Sequence, residues 1–133
     1  MPPEINIRIE CESDIVLARQ RGRELCAEMG FSSTDRTLIA TAISEVARNI
    51  VRYAARGEIL LSSVEGAGRR GILVVARDQG PGIPDTKLAL RDGYSTANSL
   101  GLGLPGARRL MDELEVVSAP GSGTTVTMKK WLR

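Results

Sequence analysis

The sequence predicts an α/β protein in which short apolar strands and amphipathic helices share one core, and three stretches carry that reading. Glu4-Ile5-Asn6-Ile7-Arg8-Ile9-Glu10 alternates strictly, which puts Ile5, Ile7 and Ile9 on one face of a half-buried strand. Leu38, Ile39, Ala42, Ile43, Val46, Ile50 and Val51 recur at helical spacing and form the stripe of an amphipathic helix. Ile72-Leu73-Val74-Val75-Ala76 is a short β-branched run behind Gly71, the pattern of a buried strand, and it leads to Asp78, Gly80 and Gly82. With 133 residues the chain suits a single domain spanning 1–133. A chain of that size buries roughly two-thirds of the surface its unfolded form exposes.

Bulk properties remove several function classes. Lys and Arg number 18 against 16 Asp and Glu, a formal charge of +2 that sets up no strong field for nucleic acid or membrane. Basic residues form no run longer than a pair, as at Arg69-Arg70, Arg108-Arg109 and Lys129-Lys130, and Phe31, Tyr53, Tyr94 and Trp131 are too scattered to stack bases. No apolar run approaches membrane-spanning length, and Met1-Pro2-Pro3-Glu4 lacks the basic start of a leader, so the expected location is cytoplasmic. Histidine is absent, which excludes serine-histidine and cysteine-histidine nucleophile pairs, histidine metal ligands and autophosphorylation on histidine. Cys11 and Cys26 have no metal spacing, are too few for a disulfide framework, and read as packing residues.

After the first strand, Ser13 is placed to cap a helix in which Ile15, Ala18, Gly22, Leu25 and Met29 keep helical spacing until Gly30 stops it. Phe31-Ser32-Ser33-Thr34-Asp35 then supplies capping oxygens and an early acid for a longer helix to about Ala55. On that helix Glu45 and Asn49 stand one turn apart beside the apolar stripe. A carboxylate and a carboxamide so placed suit a magnesium ion and its phosphates, Asn49 through its oxygen and Glu45 by polarising an attacking group. The plainer alternative is a solvated face on which Glu45 pairs with Arg48 or Arg52.

Glu58 to Val64 reads as a strand, Glu65 to Arg70 turns the chain back, and the partner strand delivers Asp78. Gly80 and Gly82 allow the sharp turn and close approach that let the Asp78 carboxylate accept from an exocyclic amine such as that of adenine; a plain Asp-Gly turn is the alternative. Pro84 to Leu100, with Asp92-Gly93-Tyr94-Ser95-Thr96, shows no sustained period and reads as a mobile loop. Gly101-Leu102-Gly103-Leu104-Pro105-Gly106 feeds a helical pattern from Ala107 to Leu114, and such a joint gathers amides that hold phosphate, or merely clears space. Glu115 to Ser118 and Thr125 to Met128 flank Ala119-Pro120-Gly121-Ser122-Gly123-Thr124, a turn between two strands.

The order of these features, Glu45 with Asn49, then Asp78-Gly80-Gly82, then Gly101-Gly103, then Gly121-Gly123-Thr124-Thr125, resembles over nearly the whole chain the ATP-binding superfamily of gyrase, Hsp90, histidine kinases and MutL. The resemblance implies the Bergerat ATP-binding fold, an α+β two-layer sandwich with a mixed β-sheet and helices packed on one face, and a lid over the nucleotide. It implies that Asp78 takes the adenine amine, Asn49 holds magnesium and Glu45 is the general base. Gly80 and Gly82 would line the adenine pocket, Gly101, Leu102 and Gly103 would cradle phosphates, and Thr124 or Thr125 would sit near the adenine end.

The larger members of that superfamily attach domains for which this chain has no room, and the phosphoacceptor histidine of a sensor kinase is missing. Ile43-Ser44-Glu45-Val46-Ala47-Arg48-Asn49-Ile50, Asp92 to Thr96 and Gly101 to Asp112 are similar to the RsbT type of partner-switching serine/threonine kinase. That resemblance implies a bacterial stress-response kinase that uses ATP and Mg2+ to phosphorylate STAS-domain antagonist and scaffold proteins of the stressosome and binds a PP2C-type phosphatase. It leaves two alternatives: an anti-sigma factor kinase that holds a sigma factor, and a nucleotide-gated binding module without catalysis.

Overall fold

The computed structural model describes residues 4–80, 103–119 and 121–133. Strand β1 (Ile5–Ile9) is followed by helices α1 (Glu12–Met29) and α2 (Ser33–Tyr53), then strands β2 (Gly57–Gly66) and β3 (Arg69–Asp78). Helix α3 (Gly103–Leu110) leads to β4 (Glu113–Ser118) and β5 (Thr124–Trp131). The five strands lie in the order β1-β2-β3-β5-β4.

Every pairing among these strands is antiparallel, which corrects the expectation of a mixed sheet. The cause is local. β2 and β3 are joined through Ala67 and Gly68 alone, with φ of 52° and 74°, the two-residue turn whose twist matches a hairpin. The expected six-residue turn is therefore two residues, and both strands run longer than their apolar cores. β5 folds back from β4 and enters between β4 and β3, running against both.

Alternation sorts the sheet into two faces. Ile7, Ile9, Ile59, Leu61, Ile72, Val74, Ala76, Val126 and Met128 are buried on one of them. Onto that face pack Ile15, Ala18, Leu25 and Met29 of α1, Ile39, Ile43, Val46 and Ile50 of α2, and Leu104 and Ala107 of α3, in one core. Each such aliphatic side chain contributes about 1.5–3 kcal/mol by leaving water. The helices thus form a second layer on one side, as expected.

Helix boundaries differ from the sequence reading in two places. Cys11, not Ser13, is the N-cap of α1. Asp14 closes this end, because its Oδ2 accepts the backbone N–H groups of Glu10 and Cys11 at 2.9 and 3.2 Å. The bond from Glu10 foremost holds the Asp14 carboxyl below its ordinary pKa. Cys11 is accordingly exposed rather than packed, whereas Cys26 is buried in the core, where desolvation pushes its thiol up to about 12. α2 is capped as expected, Ser32 Oγ accepting from the Asp35 amide at 3.1 Å.

The second difference is α3, which runs from Gly103 to Leu110 instead of from Ala107 to Leu114. Glu113 and Leu114 pair with Lys129 and Met128 of β5, and that ladder overrides the helical spacing. Buried Lys130 ends the helix by donating from Nζ to the Leu110 carbonyl at 2.9 Å. Asp112 fastens the corner to the last strand, accepting the Trp131 amide at 2.8 Å and pairing with Arg133. No helix among the described residues is long and apolar enough to cross a membrane.

Candidate nucleotide site

The inner end of the sheet and the C-terminal half of α2 bring most of the singled-out side chains together. Glu45 lies on α2 with only 8% of its surface exposed. A carboxylate so buried needs donors, and it has two. Its Oε1 accepts from Arg48 at 2.9 Å, and its Oε2 accepts the backbone N–H of Gly103 at 2.9 Å. The second bond ties α2 to the start of α3, where an anion is favoured by the helix dipole and the free amides. The ion pair with Arg48 matches the plainer sequence alternative; the burial and the Gly103 contact do not. Asn49, one turn on, is half-buried, and no side-chain hydrogen bond among the described residues engages its carboxamide.

Asp78 ends β3, and alternation puts its side chain on the helix-covered face with Val74 and Ala76. Oδ1 accepts the Gly80 amide at 2.9 Å, leaving Oδ2 with no partner among the described residues. Two glycines let the chain close around it. A Cβ on Gly80 would stand 2.7 Å from the Cβ of Ala54 at the end of α2. Gly123 has φ +78°, and a Cβ there would stand 2.2 Å from the Asp78 carbonyl oxygen.

Thr124 lies directly across from Asp78 and is 7% exposed, while Thr125 faces Arg77 on the other side of the sheet. Of the two threonines, Thr124 shares a face with Asp78. Ser118, which sequence reasoning did not single out, completes this row: it pairs with Thr124, and the two hydroxyl oxygens are 2.8 Å apart. Its signal was the alternation Leu114, Val116, Ser118, which sets it on the same face. Gly82, Gly101, Leu102 and the expected mobile loop from Pro84 to Leu100 lie outside the described residues.

A groove of about 910 Å³ opens on the opposite face, lined by Arg8, Arg56, Glu58 and Arg77 among others. Arg77 is bound to Glu58 at 2.9 Å, so much of its charge is spent internally. Asp78 and Gln79 also line the groove, at the end of β3, whereas Glu45, Asn49 and Thr124 do not.

Among the described residues no group of three or more His, Cys, Asp or Glu forms a ready metal cage. Magnesium needs none, since it keeps waters and takes phosphate oxygens, and the unengaged Asn49 carboxamide on the same face as Glu45 fits that kind of site.

The profile of the histidine kinase-like ATPase domain matches residues 9–130. The chain belongs to that family. Within it, the chain is an RsbT-type serine/threonine-protein kinase: it is 50% identical over 127 residues to the serine/threonine-protein kinase RsbT of Bacillus subtilis, covering 96% of both chains. The kinase is also 30% identical to the anti-sigma F factor of Halalkalibacterium halodurans, over 99% of this chain and 94% of that one. The structure of the RsbU and RsbW domains of a Mycobacterium tuberculosis protein shares its fold, with a TM-score of 0.66 at 22% identity over 98% of this chain and 33% of that one. The family implies that the kinase uses ATP.

Proposed function

We propose that this kinase is the switch of a bacterial partner-switching stress pathway. It phosphorylates serine or threonine on STAS-domain antagonist and scaffold proteins of a stressosome in the cytoplasm, and it activates a PP2C-type phosphatase by binding it. The observation that carries this reading is the identity of half its residues with RsbT along 96% of both chains.

The geometry supports a division of labour. Asp78 Oδ2 accepts from the adenine amine while Oδ1 stays on the Gly80 amide. Gly80 and Gly82 would bound the base, and Gly101, Leu102 and Gly103 would serve the phosphates, with the α3 amides favouring their charge. Asn49 would hold magnesium, which when bound neutralises charge on the β- and γ-phosphates. Glu45, fixed between Arg48 and Gly103, takes the proton from a partner's hydroxyl as that oxygen attacks the γ-phosphorus and ADP leaves. The acceptor comes from the partner, so the domain needs only to position and polarise.

The test is transfer of labelled γ-phosphate from ATP with magnesium to purified STAS-domain proteins, beside the Asn49→Ala variant. Label on a partner serine or threonine that vanishes with the variant is the expected result. The likeness to anti-sigma F factors sustains a second reading, an anti-sigma factor kinase; retention of a sigma factor by this chain, with no effect on a PP2C-type phosphatase, favours it. If partners bind but stay unlabelled while ATP alters only their affinity, the chain is a nucleotide-gated binding module.

A further inference from the structure

The Ser118 hydroxyl carries one proton, and its surroundings commit that proton. Ser118 Oγ lies 2.9 Å from the carbonyl oxygen of Gly123, which can only accept, so Ser118 donates there. The same oxygen lies 2.8 Å from Thr124 Oγ1. With the serine proton already used, Thr124 must be the donor in this second bond. Thr124 therefore has only lone pairs left for any other group. Its cross-strand partner Asp78 is an acceptor too, with Oδ1 on the Gly80 amide and Oδ2 uncommitted among the described residues. Side chains directly opposed in an antiparallel pair have Cβ atoms about 4.5–5.5 Å apart, so two acceptors stand side by side at the sheet's inner end.

We propose that Ser118 is a specificity-determining residue of the nucleotide site. By holding Thr124 as an acceptor, it makes the Asp78–Thr124 row select a base edge with an amine at the purine 6-position and reject one with a carbonyl oxygen there. A carbonyl against this row sets lone pair against lone pair and leaves buried acceptors unpaired, the kind of mismatch that discriminates strongly between ligands. A threonine hydroxyl free to rotate would discriminate less, since it can donate to a carbonyl. The inference rests on Asp78 being the base anchor, as proposed above.

The test is calorimetric, with magnesium present, on the wild type, Ser118→Ala and Ser118→Thr, using ATP and inosine triphosphate. The wild type should prefer ATP. Ser118→Ala should narrow the ratio of the two dissociation constants about tenfold, the effect of one hydrogen bond changing hands. Ser118→Thr, which keeps the hydroxyl, should hold the wild-type ratio. Should the alanine variant fail to fold, Ser118→Cys, whose thiol is a weak donor, takes its place with the same narrowing expected, and in the wild type purine riboside triphosphate, with no 6-substituent, should bind more tightly than inosine triphosphate. A folded Ser118→Ala variant with an unchanged ratio overturns the proposal, as does inosine triphosphate binding as well as the unsubstituted purine. Absence of ATP binding by the wild type instead removes the base-anchor reading on which it rests.

Discussion

At the scale of single residues, Asp78 offers the sharpest test. Asp78→Asn keeps the size but can turn an N–H toward the base amine, and a charge-assisted hydrogen bond is worth about 1.5–3 kcal/mol. ATP affinity measured by calorimetry should fall roughly tenfold to a hundredfold. Glu45 calls for a subtler substitution than alanine, because its side chain also receives the Gly103 amide. Glu45→Gln keeps an oxygen for that amide, so nucleotide binding should persist while phosphate transfer slows by about 10²–10⁴-fold, the contribution of a general base; an unaltered transfer rate ends its role as base. Cys26 yields a pH prediction. Its thiol is pushed up to about 12 in the fold by desolvation, above its unfolded value, so its contribution to stability is complete below the unfolded pKa and is lost as pH rises toward 12. Denaturation followed from pH 8 to 11 should show that alkaline decline, and Cys26→Ala should reduce it; Cys11, exposed, should react with a thiol reagent in the native protein while Cys26 does not.

At the scale of elements, α3 is held at both ends by side chains from other parts of the chain: Glu45 takes its first amide and Lys130 caps its last carbonyl. Lys130→Met should leave the partly buried Leu110 carbonyl without its side-chain partner, at about 1–3 kcal/mol, and lower Tm by several degrees. Since the same helix begins at Gly103, ATP affinity should weaken as well, and a variant with normal Tm and normal affinity removes Lys130 from this role. These two clamps also mark where sequence legibility stopped. The stripe of α2 and the alternation of β1 reveal themselves locally, because period and burial coincide. The end of α3 did not, because Glu113 and Leu114 continue a helical spacing and only their pairing with Lys129 and Met128 decides otherwise. Cys11 as N-cap was equally hidden: Ser13 is the better capping residue in isolation, but Asp14 reaching back to Glu10 and Cys11 moves the start of the helix. The row of Thr124 and Ser118 was half legible, since alternation assigns a face but not which strands are neighbours.

At the scale of the whole molecule, the sheet is closed in an order that its sequence does not follow. Two of the four antiparallel pairings join strands adjacent in sequence, β2 with β3 and β4 with β5, while the other two set β1 beside β2 across two helices and β5 beside β3, a topology that no periodicity reveals and that the superfamily resemblance described only as mixed. That placement has a consequence during synthesis. Until Thr124 to Trp131 has emerged from the ribosome, β3 carries a bare edge, and Asp78 lacks both its neighbour Thr124 and the cover of Gly123. β5, the last of the five described strands in chain order, completes the proposed nucleotide end, so a nascent chain stopped after Ser118 should neither protect the β3 amides from hydrogen exchange nor retain ATP. A chain that stops short of Thr124 should therefore be unable to hold a nucleotide at Asp78, however well its first three strands have folded.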